Sequence, residues 1–310
     1  MSPLRTAVAD YLSVRRALGY QLARHERLLP QFVDYLEHAG AATVTVEHAL
    51  AWATLPSETS PRWQAERLSV VRGFASWLAA VDPAAEIPPA DLLPCPRQRA
   101  VPYLYSDDDV AALLAATDAI RSRLRAATYR TLIGLLAVTG MRIGEALAVD
   151  RADVNLRRGR LLVRSGKFDK TRELHLHTTS VDALRGYLEL RDRLRPDALT
   201  ATPALFITTR GSRLGYSCVK TTFRQLAGRA GLKARSAACR PRLHDLRHSF
   251  AVNSLLDAYR SGADVHARLP LIATWLGHAD PANTYWYLSA APELLSLAAQ
   301  RLDAHVGDRR

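Results

Sequence analysis

Four stretches of the sequence gather residues that can do chemistry. TGMRIGEAL, Thr139 to Leu147, carries Arg142 just after the glycine of a helix break, with Glu145 one turn on. SGKFDKTRE, residues 165–173, carries Lys167 and Lys170, two of only four lysines in the chain. RLHDLRHSFA, Arg242 to Ala251, carries His244, Arg247 and His248. LGHADPANTYWYL, Leu276 to Leu288, carries His278, Tyr285 and Tyr287. Taken singly, each has a plain structural reading. Arg142 pairs with Glu145 on a helix surface, a lysine on a turn is solvated, and aromatics around Trp286 fill a core. His244 and His248 have the spacing of a helical metal pair. Asp245 stands where that motif has glutamate, and no third ligand is near, so no metal is expected.

Taken together, the four stretches suit a phosphodiester. Two guanidinium groups fit its non-bridging oxygens, because their planar forks donate bidentately and never lose charge. A lysine and histidines can move protons. A tyrosine can attack phosphorus and stay covalently bound. None of these roles requires a metal or another cofactor. On a helix, residues two apart point nearly opposite ways, at roughly 100° per residue. One of Tyr285 and Tyr287 therefore faces away from any shared site, and periodicity does not choose between them.

These residues need elements to hold them. Residues 1–90 read as four helices: PLRTAVADYLSVRRALGY, RHERLLPQFVDYLEHAG stopping at Gly40, TVEHALAWATL, and SPRWQAERLSVVRGFASWLAAV with Ser60 as N-cap and Pro61 at the first helical position. Six prolines between Pro83 and Pro102 forbid a continuous helix and read as an inter-domain linker. A new helix begins at Ser106, with Asp109 three residues on in the manner of a capping box. RAATYRTLIGLLAVTG reads as a buried helix ending at Gly140. GRLLVRSGKFDKTRELHLH alternates as a β-hairpin, with Leu162, Leu174 and Leu176 on its apolar pattern and a polar turn from Ser165 to Lys170. ALFITTRGSRLGY reads as a short strand and turn. Asp280 and Pro281 look like the start of a short helix carrying the two tyrosines. The tail has Leu294, Leu295, Leu297, Leu302 and Val306 on a plausible apolar face. The fold class expected is mainly α with a small β-sheet, in two domains.

Charge divides along the same line. Residues 1–95 hold 8 Arg and no Lys against 10 Asp and Glu, a net of −2. Since the whole chain is at +12, residues 96–310 carry 12 + 2 = +14. A strongly basic domain suits a polyanion, most simply nucleic acid. In the first ninety-five residues a basic face would have to come from local clustering of Arg15, Arg16, Arg24, Arg62, Arg67 and Arg72. No apolar run approaches the roughly 18 residues of a membrane span. No signal peptide is read. Three scattered cysteines, Cys95, Cys218 and Cys239, fit a reducing cytoplasm without a disulfide framework.

The order of the four blocks resembles the tyrosine recombinase (phage integrase) family, which includes Xer-type recombinases, integron integrases and transposon-borne integrases. The resemblance is strongest over Tyr105 to Leu288 and weaker, as a helical pattern, over residues 1–90. TGMRIGEAL is similar to the family's first-arginine motif and RLHDLRHSFA to its H-x-x-R motif. LGHADPANTYWYL resembles the closing motif, in which glycine-histidine precedes the nucleophilic tyrosine by nine positions. That match selects Tyr287 and leaves Tyr285 and Trp286 for packing. The hairpin is similar to the turn bearing the family's lysine, which falls on Lys167, with Lys170 the second choice.

The resemblance implies a SAM-like helical core-binding domain at 1–93, a linker at 94–104, a catalytic domain at 105–288 and a tail helix at 289–310 that either contacts a neighbouring protomer or packs within its own chain. The implied catalytic set is Arg142, Lys167, His244, Arg247, His278 and Tyr287. The implied reaction is a 3′-phosphotyrosyl intermediate followed by strand exchange, without metal or ATP. Double-stranded DNA would be clamped between the domains, with four protomers on two sites and, in some systems, partner recombinases. Three other readings remain. A type IB topoisomerase uses a similar set, although the two-domain layout and the His278–Tyr287 spacing favour a recombinase. A non-catalytic DNA-binding protein on this fold would have lost a catalytic residue, and every position is filled. A metal-dependent nuclease is a third, which full activity in EDTA would exclude.

Overall fold

The computed structural model describes residues 2–55, 58–94, 101–164 and 171–277, together with Ser296 and Ala299. The chain divides into two compact units, Met1–Arg99 and Ala100–Arg310. In the first, four helices form where apolar residues recur at helical spacing: α1 (Pro3–Ala17), α2 (Ala23–His38), α3 (Val46–Thr54) and α4 (Pro61–Leu78). Ser2, Thr45 and Ser60 each accept a hydrogen bond from a first-turn backbone N–H, and Pro3 and Pro61 stand where no donor is needed. The four helices bury Leu29, Phe32, Val33, Leu68, Val71 and Phe74 in one cluster. Tyr11 packs edge-on to Phe74 at 5.7 Å, an arrangement that suits the aromatic quadrupoles.

Two expectations change in this unit. The stretch after Asp82 is not free linker over its first part. Ala85 is buried in the unit's core, the Glu86 N–H donates to the Val44 carbonyl, and Arg72 donates to the carbonyls of Pro88 and Pro89. Of the six arginines proposed for a basic face, Arg67 is buried. It stacks on Trp52 with its Cζ 3.7 Å from the ring centroid and donates to the Trp52 carbonyl at 2.7 Å. Arg16, Arg24 and Arg62 pair with Glu26 and Glu66.

The second unit runs α5 (Asp107–Ala116), α6 (Arg123–Thr139), α7 (Ile143–Ala148), β1 (Val154–Asn155), β2 (Arg160–Val163), β3 (Arg172–His175), α8 (Thr178–Leu194), α9 (Ala198–Ala201), α10 (Tyr216–Arg229), α11 (Leu243–Arg260) and α12 (Val265–Leu276). The Ser106–Asp109 capping box is present on α5. α6 buries Leu124, Tyr129, Leu132, Ile133, Leu135 and Leu136 and packs on α8 and α11; α11 in turn packs on α12. The strands form one antiparallel sheet in the order β1-β2-β3.

The hairpin register corrects the sequence reading. Leu161, Val163 and Leu174 are buried, with Leu161 opposite Leu174, whereas Leu162 stands opposite Glu173 on the other face. With a side-chain period of 2, putting Leu161 inward turns Leu162 outward. The strand expected in ALFITTRGSRLGY reduces to isolated bridges, Asp150 with Ala204 and Ile207 with Arg213, around a turn closed by the Thr208 N–H donating to the Ser212 carbonyl. The hairpin tip 165–170, the helix expected from Asp280 and the apolar tail face from Leu294 to Val306 lie outside the described residues.

Candidate active site

Arg142 is set by the break between α6 and α7. α6 ends at Gly140, whose φ of +61° is the left-handed conformation that favours glycine. A Cβ at Gly140 would stand 2.5 Å from a Phe250 ring carbon and 2.9 Å from a Leu276 methyl, so the turn presses against α11 and α12. Two residues later Arg142 caps α7. Its backbone N–H donates to Glu145 Oε2 at 2.9 Å, and its Nη1 donates to Oε1 at 2.8 Å. The carboxylate thus fixes both ends of Arg142, whose side chain stays 41% exposed.

Arg247 and His244 share the first two turns of α11. The helix start is braced below them. Arg242 donates to both oxygens of the buried Asp245 at 2.9 and 2.7 Å, and Ser249 Oγ accepts from the Tyr105 N–H at 2.7 Å. The Tyr105 hydroxyl donates to the Arg242 carbonyl at 3.1 Å, and burial holds its phenol protonated far above the ordinary tyrosine range. Arg247 is only 2% exposed. It donates from Nη1 to the Gly140 carbonyl and from Nη2 to the Leu276 carbonyl, both at 2.9 Å. His244 keeps contact with solvent, and its ring lies edge-on to His248 at 4.9 Å. Its imidazole is pushed below the ordinary histidine value. Partial burial is the main cause and the Arg247 charge the next, with Asp245 opposing and Arg242 and Arg142 adding. A histidine in this state is neutral near pH 7 and can accept a proton.

Arginines meet at the C-terminus of α12. A helix leaves its last carbonyls without intrahelical partners, and cations there also complement the helix dipole. Arg172 Nε donates to the Trp275 carbonyl at 2.8 Å, Arg247 Nη2 to Leu276, and Arg142 Nη2 to Gly277 at 3.1 Å. The Trp275 indole donates to the Thr139 carbonyl at 2.9 Å and ties the same end to α6. Three arginines from three separate stretches therefore converge on one helix end, from which the chain runs directly into His278.

Arg172 was not singled out in the sequence, where it reads as an ordinary hairpin residue. Its partner is Glu145. Nη1 and Nη2 donate to Oε1 and Oε2 at 3.2 and 2.6 Å, and the side chains are 12% and 8% exposed. Burial alone would raise the Glu145 pKa. The hydrogen bonds and charges of Arg172 and Arg142 outweigh it and hold the carboxyl below its ordinary range. In the sequence it is simply the arginine two residues after Lys170.

Arg142, His244 and Arg247 are thus brought together. Lys167, Lys170, His278, Tyr285 and Tyr287 lie outside the described residues. Among the described residues no group of three or more His, Cys, Asp or Glu could hold a metal ion, and no helix is long and apolar enough to cross a membrane.

The chain is similar to several known proteins. Residues 104–293 match the phage integrase family. The protein y4rB of Sinorhizobium fredii, named as an integrase/recombinase, is 42% identical over 314 residues, covering 100% of both chains. The tyrosine recombinase XerD of Staphylococcus epidermidis is 29% identical over 297 residues, 92% of this chain and 94% of XerD. Among solved structures, the Tn1549 transposon integrase in complex with a circular intermediate DNA shares the fold with a TM-score of 0.64 at 15% identity, covering 96% of this chain and 99% of the integrase. A lambda integrase tetramer bound to a Holliday junction does so with a TM-score of 0.58 at 15% identity, covering 92% and 76%.

Proposed function

This chain belongs to the phage integrase family and is a tyrosine-type site-specific recombinase that cleaves and rejoins DNA, and on that premise we propose that Tyr287 is its nucleophile. The Tyr287 hydroxyl attacks the scissile phosphorus, an O–P bond forms to the tyrosine, and the bond to the 5′-oxygen breaks. The phenolic proton passes to His244, and Lys167 protonates the departing oxygen to give a 5′-hydroxyl. A free tyrosine has a pKa of about 10 and is a poor nucleophile at neutral pH. Cations beside the phosphate favour the phenolate and neutralise charge building on phosphorus. Preorganised donors of this kind are worth about 2.7–4 kcal/mol each. Arg142 is the exposed clamp. Arg247 acts from the floor of the site, where low exposure strengthens its field. His278 donates to a phosphate oxygen.

The observation that supports this reading is the convergence of Arg142 and Arg247 on the end of α12, with His244 in the field of both. The segment that leaves this helix end carries His278 and Tyr287. The phosphotyrosyl linkage conserves the energy of the broken bond, so a 5′-hydroxyl from another strand can displace it with no ATP or metal. Strand exchange needs two DNA sites held together, and we take the active assembly to be a tetramer, with the segment 289–310 contacting a neighbouring protomer. The division into a core-binding domain at 1–93, a linker at 94–104 and a catalytic domain at 105–288 belongs to the same proposal.

A nicked suicide duplex from the cognate site tests it. Wild type and Tyr285→Phe form a covalent protein–DNA adduct in EDTA, and Tyr287→Phe forms none. An adduct with Tyr287→Phe but not with Tyr285→Phe would overturn the assignment. Relaxation of plasmid without dependence on sequence or partner site would point instead to a topoisomerase.

A further inference from the structure

We propose that Arg172 is a positioning residue for cleavage: it ties the lysine-bearing hairpin, the carboxylate that orients Arg142 and the helix end before His278 into one unit. The proposal rests on the roles given above to Arg142, Lys167, His278 and Tyr287. Arg172 opens β3, with Thr171 alone between it and the hairpin tip at 165–170. Its guanidinium reaches Glu145 on α7 through two donors at 3.2 and 2.6 Å, and the Trp275 carbonyl on α12 through a third at 2.8 Å. Glu145 in turn holds Arg142, and Arg142 donates to the Gly277 carbonyl. The contacts close a ring from Arg172 through Glu145 and Arg142 to the α12 end and back.

The fit at the α12 end is specific to these residue types. Gly277 has a φ of +69°, and a Cβ there would stand 2.7 Å from Arg172 Nη1 and 3.0 Å from its Cζ. The glycine therefore supplies both the left-handed turn that ends α12 and the room for the guanidinium. Arginine is required on the other side. Its donors lie in one rigid plane and serve a carboxylate and a carbonyl at once, whereas a lysine ammonium is a compact point charge. Arg172 touches no reacting atom in this account. It acts by holding Glu145, and through it Arg142, in register with the segment entering His278. A misplacement of about 1 Å in such a site can cost about a hundredfold in rate.

The test uses full-length Arg172→Lys and Arg172→Gln with three measurements: thermal melting, equilibrium binding to intact duplex, and single-turnover cleavage of the nicked suicide duplex at saturating protein. Both variants are expected to cleave at least about tenfold more slowly while binding duplex like wild type. Lysine does not rescue, because charge alone cannot make the three contacts. The double variant Arg172→Gln/Glu145→Gln loses no more than the worse single variant, since both break one ring. If Arg172→Gln does not fold, Arg172→Lys, which keeps the stem and charge, carries the comparison. Cleavage by Arg172→Lys at the wild-type rate overturns the proposal. So does a cleavage loss matched by equal losses in melting or DNA binding, or full additivity in the double variant. Tyr287→Phe in the same assay separates the two levels. An adduct with Tyr287→Phe removes the premise. No adduct there, with wild-type cleavage by the Arg172 variants, rejects the role of Arg172 alone.

Discussion

A single carboxylate does most of the organising at the residue scale. Glu145 accepts from the backbone and side chain of Arg142 and from both terminal nitrogens of Arg172. Its pKa in the fold lies below the unfolded value, despite burial. It therefore contributes stability above the unfolded value, about 4.3, and that contribution disappears as the pH falls from there through the folded value. Glu145→Gln is expected to lose about 1.5–3 kcal/mol at pH 7, the range for hydrogen bonds to charged groups. The gap to wild type should narrow below about pH 4. Urea melts at pH 7 and pH 3.5 check this, and a gap that widens on acidification would contradict it. His244 shows the opposite use of environment. Partial burial and nearby cations disfavour its charged form and leave a neutral ring beside two permanent cations. Its ring stands edge-on to that of His248, with centroids 4.9 Å apart.

At the scale of elements, the site is a meeting of helix ends. α6 stops at Gly140, α7 starts at Arg142, and α12 stops at Gly277, so three sets of unpaired backbone groups face one another. Arginines fill the gap because their donors match orphan carbonyls and their charge suits helix C-termini. The Gly140 turn is the tightest point. Gly140→Ala meets a left-handed backbone penalty of about 1–2 kcal/mol. Overpacking against Phe250 and Leu276 adds about 1–3 kcal/mol. A lowered denaturation midpoint with an unchanged slope is the expected outcome, accompanied by slower cleavage because the Gly140 carbonyl is an acceptor of Arg247. Wild-type stability in this variant would mean that the turn shifts at little cost.

At the scale of the whole molecule, charge and architecture separate. The net charge of +14 over residues 96–310 falls on the part of the chain that holds the site, while residues 1–95 are near balance at −2. Several arginines of the first unit are already paired with glutamates or, as with Arg67, spent on packing. Binding to duplex DNA should then be dominated by phosphate contacts and release of counterions, at about 0.9 log units per contact for each tenfold change in salt. Filter binding between 50 and 200 mM NaCl is expected to show a steep fall in affinity, and a flat response would dissociate the basic excess from DNA.

Much of this was already fixed by the order of residues along the chain. Apolar spacing marked the helices of the first unit, with Gly40 ending the second and Ser60 and Pro61 starting the fourth, and Gly140 and Ser106 bounded two helices of the second unit, because caps and breaks are local events. The blocks around Arg142, Arg247 and Tyr287 carried the family likeness, because the chemistry of a phosphodiester restricts which side chains serve. The inward register of the hairpin, with Leu161 and Val163 rather than Leu162 facing the core, needed the packed sheet. So did the withdrawal of Arg67 from the surface. The role of Arg172 was the least visible. It depends on Glu145, 27 residues before it, and on the Trp275 carbonyl, 103 residues after it. A backbone carbonyl has no side-chain signature, so only the tertiary structure, by bringing an unpaired helix end against a strand, decides which arginine satisfies it.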